Sequence, residues 1–356
     1  MRYLWILLGW FILYTPILSA PPVLSPAVPN KTLEFPHDFG AHDDFRIEWW
    51  YVTGWLETEN GQPLGFQVTF FRTATRVDRD NPSSFSPEQL ILAHVALSDP
   101  ETDRLQYDQK IARAGFDLAY ARTGNTDIKL DDWFFVRKTN GHYHTYIKAE
   151  AFTIDVTLTP TQPLTLQGEQ GFSRKGPKPE QASYYYSEPQ LQVEGTIKLQ
   201  GQNTSVQGTA WLDHEWSSEL LDAKAEGWDW IGINLADGGA LMAFQIRDKA
   251  GNKIWAHAAL RDAAGHVRTF TPEQVSFHPT RTWRSPYTQA VYPVATRIKT
   301  AEIEWELTPL MDDQELDSRR SSNAVYWEGA VTLARDGKPA GRGYMELTGY
   351  VEPLSI

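Results

Sequence analysis

Apolar and polar residues alternate in short runs along most of this chain. Gly65-Phe66-Gln67-Val68-Thr69-Phe70-Phe71 and Phe152-Thr153-Ile154-Asp155-Val156-Thr157-Leu158 are rich in β-branched and aromatic residues, as half-buried strands are. Asn60-Gly61, Asn140-Gly141 and Asp336-Gly337 are hairpin-turn signals between such runs. Helical periodicity is scarce, and the clearest candidate is the stretch from Ser217 to Glu226. Many short strands at regular spacing predict an all-β fold, a barrel or a sandwich.

The N-terminus breaks the pattern. Arg2 precedes an apolar run from Tyr3 to Ala20 that has no polar face. This reads as the positive and hydrophobic regions of a signal peptide, with Leu18-Ser19-Ala20 as the cleavage site. Pro21 is a poor residue to follow a cut, and the run nearly spans a bilayer, so an uncleaved anchor is the alternative. Either way the expectation is export, to the periplasm or cell envelope. Residues 21–34 form a Pro-rich spacer.

The rest of the chain repeats. Trp50, Gly54, Gly61, Phe66 and Gln67 align without gaps to Trp228, Gly232, Gly239, Phe244 and Gln245. Ile91-Leu92-Ala93-His94 matches Ile254-Trp255-Ala256-His257. Trp133 then pairs with Trp283, Ile154 to Pro160 with Ile303 to Pro309, Glu194-Gly195 with Glu328-Gly329, and Gly208 with Gly343. These collinear matches predict a duplication. The expected architecture is two tandem lipocalin-like antiparallel β-barrels, residues 35–217 and 218–356. A closed barrel of that size can hold one small or elongated apolar ligand.

Composition narrows the function. The net charge is −12, and no Lys/Arg block occurs, which argues against nucleic acid as a partner. No cysteine is present, which excludes thiol catalysis, disulfides and thiolate metal sites. The 14 Trp supply aromatic surface enough to line a cavity as well as fill cores. P-loop, Rossmann, nucleophile-elbow and zincin motifs are absent from the sequence. His142 and His144 could share one face of a strand, but a third ligand is missing nearby, so no metal site is assigned and no cofactor is expected.

The densest polar cluster runs from Gly208 to Trp216. As a strand it puts Trp211, Asp213 and Glu215 on one face and Leu212, His214 and Trp216 on the other. Two carboxylates beside an indole would raise one pKa and keep a protonated acid near neutral pH. With the glycines aligned, Asp213, His214 and Glu215 face Thr348, Gly349 and Tyr350, so the sister copy lacks the triplet. Asp213, His214 and Glu215 are therefore the candidate catalytic residues; the alternative is a structural ion pair. A second cluster, Glu48-Trp49-Trp50-Tyr51, joins Trp211, Trp216, Trp228, Trp230 and Tyr326 as candidate ligand contacts. Glu328, matched by Glu194, reads as architectural. His94 and His257 read as satisfied barrel histidines.

Glu48-Trp49-Trp50-Tyr51, the Gly208–Trp216 run, Tyr326-Trp327-Glu328-Gly329 and the Gly343–Tyr350 run resemble the carotenoid 1,2-hydratase/AttH-like family, over roughly residues 35 to 352. The signal sequence and Asp213-His214-Glu215-Trp216 look closer to its exported AttH-like branch. The resemblance implies two lipocalin-like barrels but not one activity. Some members add water across a terminal C=C bond, and the acid of those hydratases matches Asp213 best. Exported members are often described only as secreted hydrolases. Three expectations follow. Asp213 protonates an alkene, Trp211, Trp216 or Tyr51 stabilises the cation, and His214 or Glu48 orients water. Otherwise the chain is a non-catalytic lipid or terpenoid carrier or a periplasmic partner of a transport system, or, third, a hydrolase.

Overall fold

A computed structural model describes residues 24–75, 77, 83 and 85–354. The apolar run from Tyr3 to Ala20 lies outside the described residues. The rest is built almost wholly of antiparallel strands, with two short 3-10 turns at His37–Phe39 and Pro272–Gln274. Alternation in the sequence becomes alternation in burial. Phe152, Ile154, Val156 and Leu158 of one strand point inward, and the residues between them are half-buried. Gly61, Gly141 and Gly337 all adopt the left-handed conformation: Gly337 with Asp336 makes a two-residue hairpin turn, and Gly61 and Gly141 close three-residue loops.

The strands form two sheets with the same order. In the first, Gln106–Arg113, Gln89–Ser98, Pro63–Ala74, Ile47–Thr58, Gln202–Ser217, Ala182–Leu199, Phe152–Thr159 and Tyr143–Lys148 are successive neighbours. In the second, the corresponding sequence is Val267–Phe270, Lys253–Arg261, Ala240–Asp248, Ala225–Leu235, Lys338–Leu347, Val325–Arg335, Ile303–Pro309 and Val291–Thr300. The duplication is thus visible in topology as well as in sequence. Each sheet curls toward closure, the first more completely: Gln89–Ser98 and Gln106–Arg113 return against Asp127–Leu130.

Both curled sheets are packed solid. Val52, Phe66, Phe70, Val95, Trp133 and Ile154 fill the first; Ile231, Ile298, Trp305, Trp327 and Met345 fill the second. The ligand space expected inside a barrel is therefore taken by side chains. The stretch from Ser217 to Glu226 is not a helix. Ser217 ends a strand, 218–224 form an irregular connection and Ala225 starts the next strand. Leu220 and Leu221 there turn toward the space between the sheets.

The sheets pack against one another through a second apolar layer that includes Tyr51, Trp55, Tyr185, Trp211, Trp230, Phe244 and Tyr344. These come from the strand faces opposite the barrel cores, so the same strands bury both faces. Polar bonds set the docking. Trp55 Nε1 donates to the Gly343 carbonyl at 2.9 Å, Ser98 Oγ donates to Gln314 Oε1 at 2.6 Å, and the Gln190 backbone N–H donates to Asn234 Oδ1 at 2.7 Å.

Candidate functional site

Between the sheets lies a cavity of about 500 Å³, within the range of roughly 300–1,000 Å³ usual for small-molecule sites. Strand register explains what lines it. Counting across paired strands from His94 gives Thr69, Tyr51, Asp213 and Ser187. Counting from its twin His257 gives Phe244, Trp230, Glu346 and Glu328. The two rows belong to the two copies, and both present their side chains to the cavity layer. Asp213 is therefore level with Glu346, not with Thr348, and the gap-free glycine match is out of step with the sheet. Each copy carries an acid at this place, so the view that the second lacks one is corrected.

Glu328 is corrected too. It is buried, lines the cavity and faces Glu346 across paired strands, whereas Glu194 is exposed. Burial, then the neighbouring Glu346 charge, pushes Glu328 far above the carboxylate range. Burial likewise raises Glu346, and the charges of Asp213 and Glu215 add to it. The pair has few donors. Trp228 Nε1 reaches Glu346 Oε2 at 2.9 Å, while Glu328 has the buried Tyr51 hydroxyl as its neighbouring donor. Two such carboxyls cannot both stay ionised, so the pair holds a proton.

Asp213 is served differently. Its Oδ1 accepts from Trp211 Nε1 at 2.6 Å and Ser187 Oγ at 2.5 Å, and its Oδ2 accepts from Tyr185 Oη at 2.5 Å. Burial lifts Asp213 to about 7 against these three donors, which favour the anion. Trp230 Nε1 donates to the same Tyr185 hydroxyl at 3.2 Å. Glu215 is ion-paired to the buried Lys175 at 2.8 Å and accepts from Ser183 Oγ. The Lys175 ammonium also lies 4.3 Å from the Phe244 ring centre and 4.6 Å from that of Tyr185.

Behind this wall sits a buried network centred on Glu48. Its Oε1 meets His42 Nδ1 at 2.6 Å and His214 Nε2 at 2.8 Å, and its Oε2 accepts from Arg72 Nε at 2.8 Å. Burial opposes its charge, but His42, Arg72 and His214 together hold its carboxyl well below the usual range. His214, Trp50 and Trp216 belong to this network. Trp50 stacks on His214 with ring centres 4.5 Å apart, and Trp216 stacks on His42 at 3.7 Å. Burial lowers His214 to about 4, so its ring is neutral. His42, Glu48 and His214 are the right types for a metal triad. They bond one another directly, however, and the Arg72 guanidinium already balances Glu48. The second copy has its own buried pair, Arg247 Nε to Asp229 Oδ1 at 2.9 Å.

Of the residues expected from sequence, Asp213, Glu215, Trp49, Tyr51, Trp228, Trp230 and Tyr326 line the cavity, whereas the Glu48 carboxylate is held behind its wall by His42, His214 and Arg72. Trp211 supports Asp213 from the interface layer, and His214, Trp50 and Trp216 lie behind the wall. His142 and His144 do not form a metal pair: His144 Nε2 binds Asp155 Oδ1 at 2.8 Å. Lys175, Glu346, Glu328 and His94 complete the site and were not singled out as functional. The alternation Tyr344, Met345, Glu346, Leu347 carried the signal for Glu346.

His94 also bears on hydrolysis. Its Nε2 is 2.8 Å from Ser321 Oγ, and its Nδ1 is 2.7 Å from the Tyr326 hydroxyl. Gln109 Nε2 donates to the Asp317 carbonyl, which leaves Gln109 Oε1 to accept from Ser321 Oγ at 2.7 Å. The serine proton thus points away from His94, and burial lowers His94 to about 3. This serine–histidine contact is wired as a structural bond, not as an activated nucleophile.

Comparison with known proteins agrees with this architecture. An AttH candidate from Nitrosomonas europaea is 73% identical, its crystal structure covering 92% of this chain and 100% of its own, with a TM-score of 0.87. Kievitone hydratase from Nectria haematococca shares the fold at 16% identity, over 92% of this chain and 97% of its own, with a TM-score of 0.67. CghA bound to Sch210972 is a more distant fold relative, at 11% identity over 93% and 98% of the two chains, with a TM-score of 0.52. No curated protein matches in sequence. The AttH-like family model matches residues 26–350, nearly the whole of the described fold, and the chain belongs to the AttH-like family.

Proposed function

We propose that the cavity between the sheets binds an apolar molecule with an isolated C=C bond, a terpenoid or prenylated compound, and hydrates it by acid initiation. The observation that carries this is the Glu328–Glu346 pair. It is buried, face to face and short of donors, with the buried Tyr51 hydroxyl beside Glu328 and the Trp228 indole on Glu346. Asp213 was the acid expected from sequence. Its three donors suit it better to the partner role, as the base.

The proton from Glu328–Glu346 passes to the less substituted alkene carbon, and the π bond becomes the new C–H bond. The tertiary cation lies among Trp49, Tyr51, Trp228 and Trp230, whose ring faces favour positive charge. Water adds to the cation and gives a proton to Asp213, in reach of Tyr185 and Ser187. Return of that proton to the glutamate pair closes the cycle, so no cofactor is consumed. The fold shared with a protein named kievitone hydratase supports the reading at the level of scaffold only.

The test is incubation of purified protein with an acyclic polyprenyl substrate in deuterated water. The expected product is a tertiary alcohol with one new C–D bond. Absence of product from the wild type, across acyclic and aromatic prenyl substrates, would sink the reaction.

The apolar wall of Ile47, Phe71, Leu90, Leu92 and Ile246 favours a second reading, a non-catalytic carrier of a lipid or terpenoid for a transport system. Native mass spectrometry decides it. A co-purified ligand released unchanged supports the carrier; one converted to its hydrate supports the enzyme. The apolar run from Tyr3 to Ala20 supports work outside the cytoplasm in either case.

A further inference from the structure

The ends of five adjacent strands make one rim of the cavity. A line of hydrogen bonds runs along it. Ser218 Oγ donates to the Ser25 carbonyl at 2.6 Å and accepts from the Arg46 backbone N–H at 3.2 Å. The Ala74 N–H donates to the Arg46 carbonyl, Thr75 N–H to Glu88, and Ala114 N–H to Gln89. Ile47, Thr73, Leu90 and Ile111 lie along this rim and line the cavity, joined by Leu220 and Leu221.

Apolar groups bracket the rim at both ends. At one end Ser25, next to the first described residue, is tied to Asp44 through its N–H and to Ser218 through its carbonyl. The 18-residue apolar run Tyr3 to Ala20 therefore joins the fold here after only a few residues, because the later part of the 21–34 stretch is not a free spacer: Ala27 and Leu33 are buried and the Val28 N–H donates to Tyr184 Oη at 2.9 Å. At the other end, four strand spacings or roughly 20 Å away, Phe85 and Phe116 are 69% and 62% exposed with ring centres 5.4 Å apart. The Arg113 guanidinium packs on both rings, at 5.2 and 4.6 Å, and donates to the Phe85 carbonyl at 3.1 Å. Ile111 and Leu118 beside them are 44% and 47% exposed. Arg113 and Ile111 share a strand face, so the aromatic pair continues directly into the cavity lining.

We infer that this rim docks on a lipid bilayer and that the cavity mouth opens toward the membrane. Exposed aromatic rings with an arginine between them suit the headgroup boundary. The N-terminal run, as an anchor or before its cleavage, would hold the same edge there. An apolar ligand would then enter from the acyl region without crossing water. The inference stands whether the cavity catalyses or carries.

The chain has no cysteine, so single-cysteine labelling tests this on the full chain. Phe116→Cys and, as a control at an exposed hairpin of the second sheet, Lys338→Cys each receive an environment-sensitive fluorophore. Vesicles of phosphatidylcholine with a minority of phosphatidylglycerol are then added. The expected result is a blue shift and at least a twofold loss of iodide quenching at 116, with no change at 338. Unchanged quenching at 116, or equal protection at both positions, overturns the inference. Protection at 116 that follows protein concentration without vesicles also overturns it, because a second copy then covers the patch. None of these outcomes alters the deuterium assay, so the two proposals fail separately.

Discussion

At the residue scale, Glu346 and Asp213 are the informative pair, because matching positions in two copies have been given opposite neighbours. Glu346→Gln and Glu328→Gln are each expected to lower hydration kcat by about 10²- to 10⁴-fold, the usual worth of a positioned proton donor. The acid must be protonated. With Asp213 near 7 and Glu346 pushed to about 7, the rate of the proposed hydration is expected to peak near neutrality. It falls above pH 7 as the donor ionises. Glu346→Gln removes that limb. A pH–rate profile unchanged in the variant would assign the limb to another group. Stability provides a second check. The Asp213 pKa is raised on folding, so between about pH 4 and 7 the native state binds the extra proton. Its contribution is present below the unfolded pKa and is lost as pH rises through 7. His94 and His214, kept neutral by burial, work in the opposite direction below about pH 6.5. The comparison is therefore wild type against Asp213→Asn. The variant is expected to lose less melting temperature than the wild type between pH 5 and pH 8.

At the element scale, the Glu48 network ties three strands and the segment before them into one wall. Glu48 is on Ile47–Thr58, Arg72 on Pro63–Ala74 and His214 on Gln202–Ser217, while Arg72 Nη2 also donates to the His42 and Phe45 carbonyls at 2.8 and 2.9 Å. Arg72→Met leaves a buried carboxylate unbalanced and is expected to cost about 3–5 kcal/mol in urea denaturation. Adding Glu48→Gln should recover part of the loss. Failure of the double variant to recover any would mean that packing, not charge, sets the cost. The same elements explain what the sequence could reveal. Strand alternation in Phe152–Thr159 and the turn glycines were legible, because side-chain period and φ are local properties. The level of Asp213 with Glu346 was not. Glycine matching aligned Gly208 with Gly343, but register is set by the whole ladder, and a shift of two leaves the alternation intact. The missing helix at 218–224 has a similar cause. Leu220 and Leu221 are claimed by the cavity rather than by a helical stripe.

At the scale of the whole molecule, the cavity lies where two sheets of the same strand order meet, and neither sheet holds it alone. Each barrel lumen is packed, so among the described residues the large apolar faces left outside the barrel cores are those the two sheets turn toward one another. The sequence led to a barrel interior because a barrel of this size can be hollow; Trp133 and Trp327 decide that these are not. The interface carries Tyr51, Trp55, Trp211, Trp230 and Phe244, and separating the halves would expose this layer to water. Heating the whole chain should therefore give a single calorimetric transition whose van't Hoff and calorimetric enthalpies agree. Two resolved transitions would show that the halves stand independently and that the cavity is a loose contact. The account rests most heavily on a proton held between Glu328 and Glu346 at neutral pH. Infrared difference spectroscopy, titrated from pH 5 to 9, reads this proton as the C=O stretch of a protonated carboxyl. The account predicts a band that persists at pH 7 in the wild type and is lost or shifted in both Glu328→Gln and Glu346→Gln. A wild type with no protonated carboxyl at pH 7, or a band that both variants leave untouched, would contradict it.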